Sequence, residues 1–288
     1  MSEEELKSMR HSLAHIMAQA IQHLWPQAKF GVGPAIDNGF YYDIYLDNGT
    51  ISEADLPKIE EEMRKIVAAD YPFERRDVSV EEAIDWAISG DQSFKLELLN
   101  DLKRSGTTVA NELAGEKMGS VSDGDSKVET VSLYSQGDYT DLCRGGHVDS
   151  TGKVGAFKLT KTAGAYWRGN ENNPQMQRIY GVAFATQEEL DEYLNRLEIA
   201  KQRDHRKLGK ELDLYTTSPL VGIGLPLFTP RGTILRDIVA QYSNQLRQKF
   251  GFEKVWTPHI TKKDLYETSG HWAKFGEELF LVKSQETS

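Results

Sequence analysis

The sequence predicts an α+β protein in two parts, and three observations carry that expectation. Helical stripes of period 3.6 alternate with short strand-like runs over the first two hundred residues. A loop dense in proline and glycine follows, with Pro219, Gly222, Gly224, Pro226, Pro230 and Gly232, and beyond it a new amphipathic pattern begins. The 288 residues, 39% hydrophobic and 27% charged, also suffice for one large or two ordinary domains with a buried core.

In chain order, Leu6, Met9, Leu13, Ile16, Met17, Ala20, Ile21 and Leu24 form an apolar stripe that predicts a helix over 3–24, ended by Pro26. Gly31-Val-Gly33-Pro34 reads as a turn and Phe40 to Leu46 as a strand. Asn48-Gly49 then signals a hairpin into Thr50 and Ile51. A helix is expected over 53–69, an extended run over 72–80 and a short helix over 80–88. Residues 103–127 are rich in Gly, Ser, Asp and Lys and read as a surface insertion. Strand-like runs follow at 130–134, 156–160 and 177–184, then a helix over 187–206 with Leu190, Tyr193, Leu194 and Leu197 on one face. Past the breaker-rich loop, Leu235, Ile238, Val239, Tyr242, Leu246 and Phe250 mark another helix, stopped by Gly251. Lys254 to Pro258 reads as a strand. The expected division is a first domain over 1–200, a basic helix end over 201–213, and the first part of a second domain over 214–288.

Composition narrows the function classes. No apolar run reaches membrane-spanning length, and the acidic start Met1-Ser-Glu-Glu-Glu5 is the wrong charge for a secretion signal, so the cytoplasm is the expected location. The single cysteine, Cys143, excludes an internal disulfide. A net charge of −10 argues against broad coating of nucleic acid. It leaves room for a local basic track, Lys201-Gln-Arg203-Asp-His205-Arg206-Lys207-Leu-Gly-Lys210, whose plainer reading is a solvated helix end.

Two pairs concentrate the chemistry. Three of the seven histidines and the lone cysteine sit in His11-Ser-Leu-Ala-His15 and Cys143-Arg-Gly-Gly-His147. On a helix, a spacing of four puts both side chains on one face. A helix bearing His11 and His15, met by a turn bearing Cys143 and His147, would bring four donors to one point. That is either a zinc tetrad or a hydrolytic site working without metal.

With those pairs the chain resembles the threonyl-tRNA synthetases over nearly its whole length. The resemblance also rests on Gly33-Pro34-Ala-Ile-Asp37-Asn-Gly39-Phe-Tyr-Tyr42-Asp43, on Asp141-Leu-Cys143, and on Lys158-Leu-Thr-Lys161-Thr-Ala-Gly164-Ala-Tyr166-Trp-Arg168-Gly169. Arg203-Asp-His205-Arg206-Lys207-Leu-Gly209 adds a further block. It implies a two-layer editing domain, shared in outline with the alanyl-tRNA editing proteins, over 1–200. From 214 it implies part of a class II catalytic domain, an antiparallel-sheet fold whose motif 1, here 233–258, makes a homodimer interface. ATP, magnesium and a catalytic-domain zinc would belong only to a full-length enzyme, and this chain is not expected to charge tRNA.

The implied activity is hydrolysis of serine wrongly esterified to threonine tRNA. One missing methyl is worth only about 1–3 kcal/mol in a pocket, so a threonine site also charges some serine and needs a second site to clear it. The resemblance gives His11, His15, Lys95, Asp141, Cys143 and His147 catalytic roles, and Tyr42 and Asp141 contacts to the substrate. The implied partners are the acceptor end of tRNA(Thr) and its seryl or threonyl group. The family pattern points to a metal-free, water-mediated site, whereas the alanine editors use a comparable set for zinc. Gly146 stands where the family's Cys-Arg-Gly-Pro-His run has proline, which loosens the turn that aims His147. The competing readings are a non-catalytic fragment that docks the acceptor end or dimerises, and a free-standing zinc-dependent deacylase.

Overall fold

The computed structural model describes residues 1–105, 128–222 and 224–282. They divide into two compact units, Met1–Lys201 and Gln202–Ser288.

The first unit is α+β, with helices laid on an antiparallel sheet. Helix α1 (Glu3–Leu24) opens on a capping box in which Ser2 Oγ accepts from the Glu5 amide at 3.2 Å and Glu5 accepts from the Ser2 amide at 2.7 Å. Strands β1 (Lys29–Phe30), β2 (Ala35–Ile36) and β3 (Gly39–Tyr45) follow, then α2 (Leu56–Ala69), entered through a 3₁₀ turn at Glu53–Asp55. The apolar stripe of α1 packs with Ile59, Met63 and Ile66 of α2 and Phe40, Tyr42 and Ile44 of β3 in one core. Each such fully buried aliphatic side chain stabilises the fold by about 1.5–3 kcal/mol. Inserting α1 between α2 and β3 therefore fixes which of its residues face the sheet.

A second layer of strands completes the unit. Strand β4 (Glu74–Ser79) leads into α3 (Val80–Ser89) and α4 (Ser93–Ser105), and β5 (Thr130–Gln136) and β6 (Tyr139–Leu142) form a three-stranded antiparallel sheet in the order β4-β5-β6. The long strands β7 (Ala156–Tyr166) and β8 (Gln175–Phe184) then return to the first sheet, giving the order β1-β3-β8-β7 with β2 beside β3. Helix α4 meets both sheets. Leu99 joins the Val78–Leu133 cluster, and Phe94 and Leu98 join Trp167 and Met176. Helix α5 (Gln187–Gln202) closes the unit.

In the second unit α6 (His205–Glu211) is followed by the short antiparallel pair β9 (Tyr215–Thr216) and β10 (Leu227–Phe228), then α7 (Pro230–Lys249), α8 (Lys263–Thr268) and α9 (His271–Phe275). Thr229 caps α7 by accepting from the Gly232 amide at 3.2 Å. The apolar stripe of α7 is open: Ile234, Ile238, Val239 and Tyr242 are each 58–62% exposed.

Several expectations need correction. Asn48-Gly49 makes no hairpin, because β3 pairs with β8 instead and the Ile51 amide bonds to the Gln177 side chain at 2.9 Å. The helix expected over 187–206 breaks before Asp204, which caps α6 by accepting from the Arg206 amide at 2.8 Å. Pro230 and Gly232 form the first turn of α7 rather than a loop, since proline at the start of a helix lacks only an amide that has no partner there anyway. Residues 254–258 form no strand, having no neighbouring strand among the described residues to pair with. Of the expected insertion, 103–105 belong to α4 and 106–127 lie outside the described residues.

Candidate active site

Four chain segments meet at one open cleft of about 520 Å³ in the first unit. Helix α1 contributes His11 and His15, β3 contributes Tyr42, α4 contributes Lys95, and β6 with the turn after it contributes Asp141 and Cys143. Gly33 lets the β1–β2 connection lie flat on Tyr42, because a Cβ there would sit 2.2 Å from the ring. Lys7 and Arg144 also line the cleft. His147 does not line it, and stands behind Cys143 instead.

One half of the site is a buried charged group. Lys95 Nζ lies 2.6 Å from Asp141 Oδ1 and donates to the Tyr42 hydroxyl at 3.0 Å, and that hydroxyl donates to Asp141 Oδ2. Lys95 is 3% and Asp141 2% exposed, so the pair is out of bulk water yet borders the cleft. Burial, followed by the charge of Asp141, holds the Tyr42 phenol well above its ordinary range, so it stays a donor. An ammonium has three protons and two are engaged here, which leaves one N–H of Lys95 for a ligand or water.

The other half is the histidine–cysteine cluster. Cys143 Sγ is 3.0 Å from His11 Nε2 and 3.3 Å from His147 Nε2, and accepts from the Gly145 amide at 3.3 Å. The His147 ring stacks on His11 and on Phe73, with centroids 4.5 and 4.6 Å away. Its Nδ1 is 3.2 Å from Ser12 Oγ. Burial pushes the Cys143 thiol up to about 12, so it stays protonated near neutral pH. Burial also holds His147 and His15 well below the ordinary imidazole range, reinforced by the neighbouring histidines and, at His15, by Lys95. His15 Nδ1 is 3.6 Å from Asp141 Oδ2, and with the ring kept neutral this is neither an ion pair nor a hydrogen bond. That nitrogen is buried without a hydrogen-bond partner among the described residues.

Two glycines shape the turn. Gly145 has φ +104° and Gly146 φ +83°, the left-handed region glycine enters freely. A proline ring fixes φ near −65°, so proline at 146 could not follow this path. A Cβ at Gly145 would strike the Tyr134 hydroxyl at 2.3 Å, whereas one at Gly146 would meet nothing.

The donors of His11, His15, Cys143 and His147 all lie within 4.8 Å of one another, and two of the imidazoles are held neutral, so the set fits zinc in donor type and convergence. The direct nitrogen–sulfur contacts pair His11 Nε2 and His147 Nε2 with Cys143 Sγ, whereas, among the described residues, His15 makes no such contact and its Nδ1 is left without a hydrogen-bond partner. All seven sequence-predicted site residues thus fall in one constellation. Sequence reasoning missed Ser12 and Phe73; Ser12 lay inside the quoted His11–His15 run, one helical turn after Ser8.

Comparison with known proteins follows the same outline. The family described as "Threonyl and Alanyl tRNA synthetase second additional domain" matches residues 131–180, which span β5, β6, the Cys143–His147 turn and β7. Threonine–tRNA ligase 1 of Bacillus subtilis is 49% identical over 280 residues, 97% of this chain and 40% of the relative. The threonine–tRNA ligase of a Geobacillus strain is 48% identical over 277 residues, 96% of this chain and 39% of the relative. That of Halalkalibacterium halodurans is 45% identical over 287 residues, 99% and 41% respectively. The chain spans about two-fifths of the length of the curated relatives it matches.

Proposed function

Because this chain belongs to the threonine–tRNA ligase family, matching about two-fifths of its members' length, we propose that its cleft hydrolyses the ester of serine misattached to tRNA(Thr). The observation that carries the reading is the buried Lys95–Asp141–Tyr42 group bordering the same cleft as the His11–Cys143 contact. Water attacks the seryl carbonyl, negative charge grows on the carbonyl oxygen, and the ribose oxygen leaves with a proton. Lys95 answers the growing charge through its third N–H, and the carboxylate of Asp141 accepts from the serine ammonium while holding Lys95 in place. Tyr42 fixes Asp141 and gives the aminoacyl group a hydroxyl to meet. His11 exchanges the proton with water and the leaving oxygen, and His15 packs beside it as a neutral ring. Cys143, held neutral, shapes the wall that meets the serine side chain.

In this reading the chemistry runs through these side chains and water. Were zinc held, His11, His15, Cys143 and His147 would hold it, and it would supply Lewis-acid activation, lowering the pKa of a water that reaches it to about 7. The mutual satisfaction of the Cys143 thiol by His11, His147 and the Gly145 amide supports the metal-free form.

Lys7 and Arg144 at the cleft supply positive charge for a tRNA acceptor end. The open apolar stripe of α7 supports a homodimer through 233–258, the segment likened to motif 1, with 214–288 as the first part of a class II domain. ATP, magnesium and a catalytic-domain zinc belong in this reading to the full-length ligase. No helix among the described residues is long and apolar enough to cross a membrane, and the proposed location is the cytoplasm, where tRNA is charged.

The test is deacylation of Ser-tRNA(Thr) and Thr-tRNA(Thr) measured side by side. The serine ester should be cleared and the threonine ester spared. Equal rates on both, or none on either with folded protein, would overturn the reading.

A further inference from the structure

Helix α4 has two unlike faces. Lys95, Leu98 and Leu102 recur at i, i+3 and i+7 and line the cleft. Glu97 and Asp101, at i and i+4, lie roughly 200–240° further round the helix from Lys95, and neither lines the cleft. One guanidinium meets both carboxylates: Arg168 Nη2 is 2.5 Å from Asp101 Oδ2 and 3.1 Å from Glu97 Oε1. The preceding residue grips the same helix, since Trp167 donates from Nε1 to Glu97 Oε2 at 2.9 Å and packs with Phe94 and Leu98. In an extended strand, neighbours such as Trp167 and Arg168 would point to opposite faces. Just past the end of β7, however, Arg168 takes the left-handed region at φ +56°, which a residue with a Cβ enters at a cost, and both side chains turn onto α4. Strain of this kind persists only where surrounding contacts over-determine it. Here those contacts are the two carboxylates of α4.

We infer that Arg168 is a positioning residue: by holding Glu97 and Asp101 from behind, it sets the rotation and depth of α4 and so keeps Lys95 Nζ against Asp141 and Tyr42. The other attachment of α4 is at its start, where Gln92 accepts from the Phe30 amide at 2.9 Å and donates to the Ala28 carbonyl at 3.2 Å. Lys95 stands between the two attachments. Arg104 also pairs with Asp101, at 2.9 Å, but it belongs to α4 itself, so that pair does not tie the helix to the sheet. Arg168 does not line the cleft and therefore acts through α4 rather than on a ligand. Its effect on catalysis rests on the hydrolytic reading above, whereas its effect on where Lys95 sits does not.

The experiment treats the whole chain with an amine-acylating reagent and follows each lysine by mass spectrometry. In the unsubstituted chain Lys95 should react far more slowly than an exposed lysine such as Lys58, and equal rates overturn the proposal before any variant has to fold. Arg168→Ala should speed modification of Lys95 by about 10-fold or more, as expected when a buried group opens locally. Arg168→Lys, which keeps a charge for the two carboxylates, should restore most of the protection. Leu190→Ala, which truncates a buried residue of α5 outside the cleft, controls for general loosening. Unchanged protection in folded Arg168→Ala overturns the inference. So does an equal loss of protection in Leu190→Ala at the same fall in melting temperature. On Ser-tRNA(Thr), Arg168→Ala should lower kcat by about 10²-fold, the scale for a small displacement of a catalytic group, with KM little changed. In a Lys95→Met background it should cost no further rate, and a second fall of that size overturns the inference. If protection of Lys95 depends on Arg168 and the unsubstituted chain hydrolyses neither ester, the hydrolytic reading fails while the positioning role stands.

Discussion

Replacing Lys95 with methionine strips the positive charge from a pocket that holds its partner out of water. Lys95 Nζ is 2.6 Å from Asp141 Oδ1, with both residues at most 3% exposed. At that separation the attraction is about 6 kcal/mol with an effective dielectric of about 20, most of it offset by the cost of desolvating both ions. Lys95→Met removes the attraction and leaves Asp141 buried with its desolvation uncompensated. The expected loss is about 3–5 kcal/mol, against a total stability on the order of 5–15 kcal/mol for a domain. Lys95→Met/Asp141→Leu removes both charges and should return to within about 2 kcal/mol of the parent, since apolar replacement of a buried pair is often near neutral. Urea unfolding followed by circular dichroism measures all three. Hydrolysis of Ser-tRNA(Thr) should fall by about 10²–10⁴ in the single variant, and the stable double variant should stay inactive. A single variant within about 1 kcal/mol of the parent would show that the pair is not buried as described. A double variant as damaged as the single would show that the loss comes from packing.

The turn after Cys143 gives a second expectation. Gly146→Pro should destabilise the first unit by several times the ~1 kcal/mol expected of Gly146→Ala, because φ +83° is closed to proline while a Cβ meets no atom; equal thermal shifts would refute it. His23 bridges Glu62 at 2.8 Å and Asp138 at 3.0 Å, and although burial lowers its pKa, those carboxylates outweigh it and raise the balance. A raised folded value means the bridge stabilises fully below the unfolded pKa of about 6.5 and loses its effect as pH rises through the folded value. His23→Gln should therefore cost more stability at pH 6 than at pH 9, and a pH-independent cost would refute the assignment. Cys143→Ala should leave zinc content near zero and alter serine-versus-threonine selectivity more than the chemical step. Stoichiometric zinc in the parent, with chelator-sensitive activity that zinc restores, would reverse that expectation.

The elements legible in the sequence were those whose apolar residues repeat over several turns. Helix α1 was found because its stripe runs from Leu6 to Leu24 and a proline follows it. Helix α4 left a weak local signal, because Phe94, Leu98, Leu99 and Leu102 make a stripe of under three turns that runs into a Gly- and Ser-rich stretch. Strand β6 is only four residues long and carries Asp141, so nothing local marks it as a strand; its pairing with β5 does. Asn48-Gly49 misled because the partner of β3 lies some 135 residues downstream, and a turn signal cannot compete with a strand that far away. The histidines and cysteine were legible because spacing of four is a local property. That Lys95 reaches Asp141 is a tertiary fact, and family likeness alone supplied it.

The order in which the strands pair also sets when the site can exist. Tyr42 lies on β3, and β3 gains its neighbour β8 only once residues through Phe184 are available. His11 meets Cys143 across 132 positions of chain, and Tyr42 meets Asp141 across 99. During synthesis, α1 and α2 can form early from local contacts, but they present no assembled cleft. Loop closures of this length are slow, so completion of the centre coincides with folding of the whole unit rather than any part of it. A nascent chain that stalls before β8 is thus expected to be incapable of hydrolysis, however much helix it has already formed.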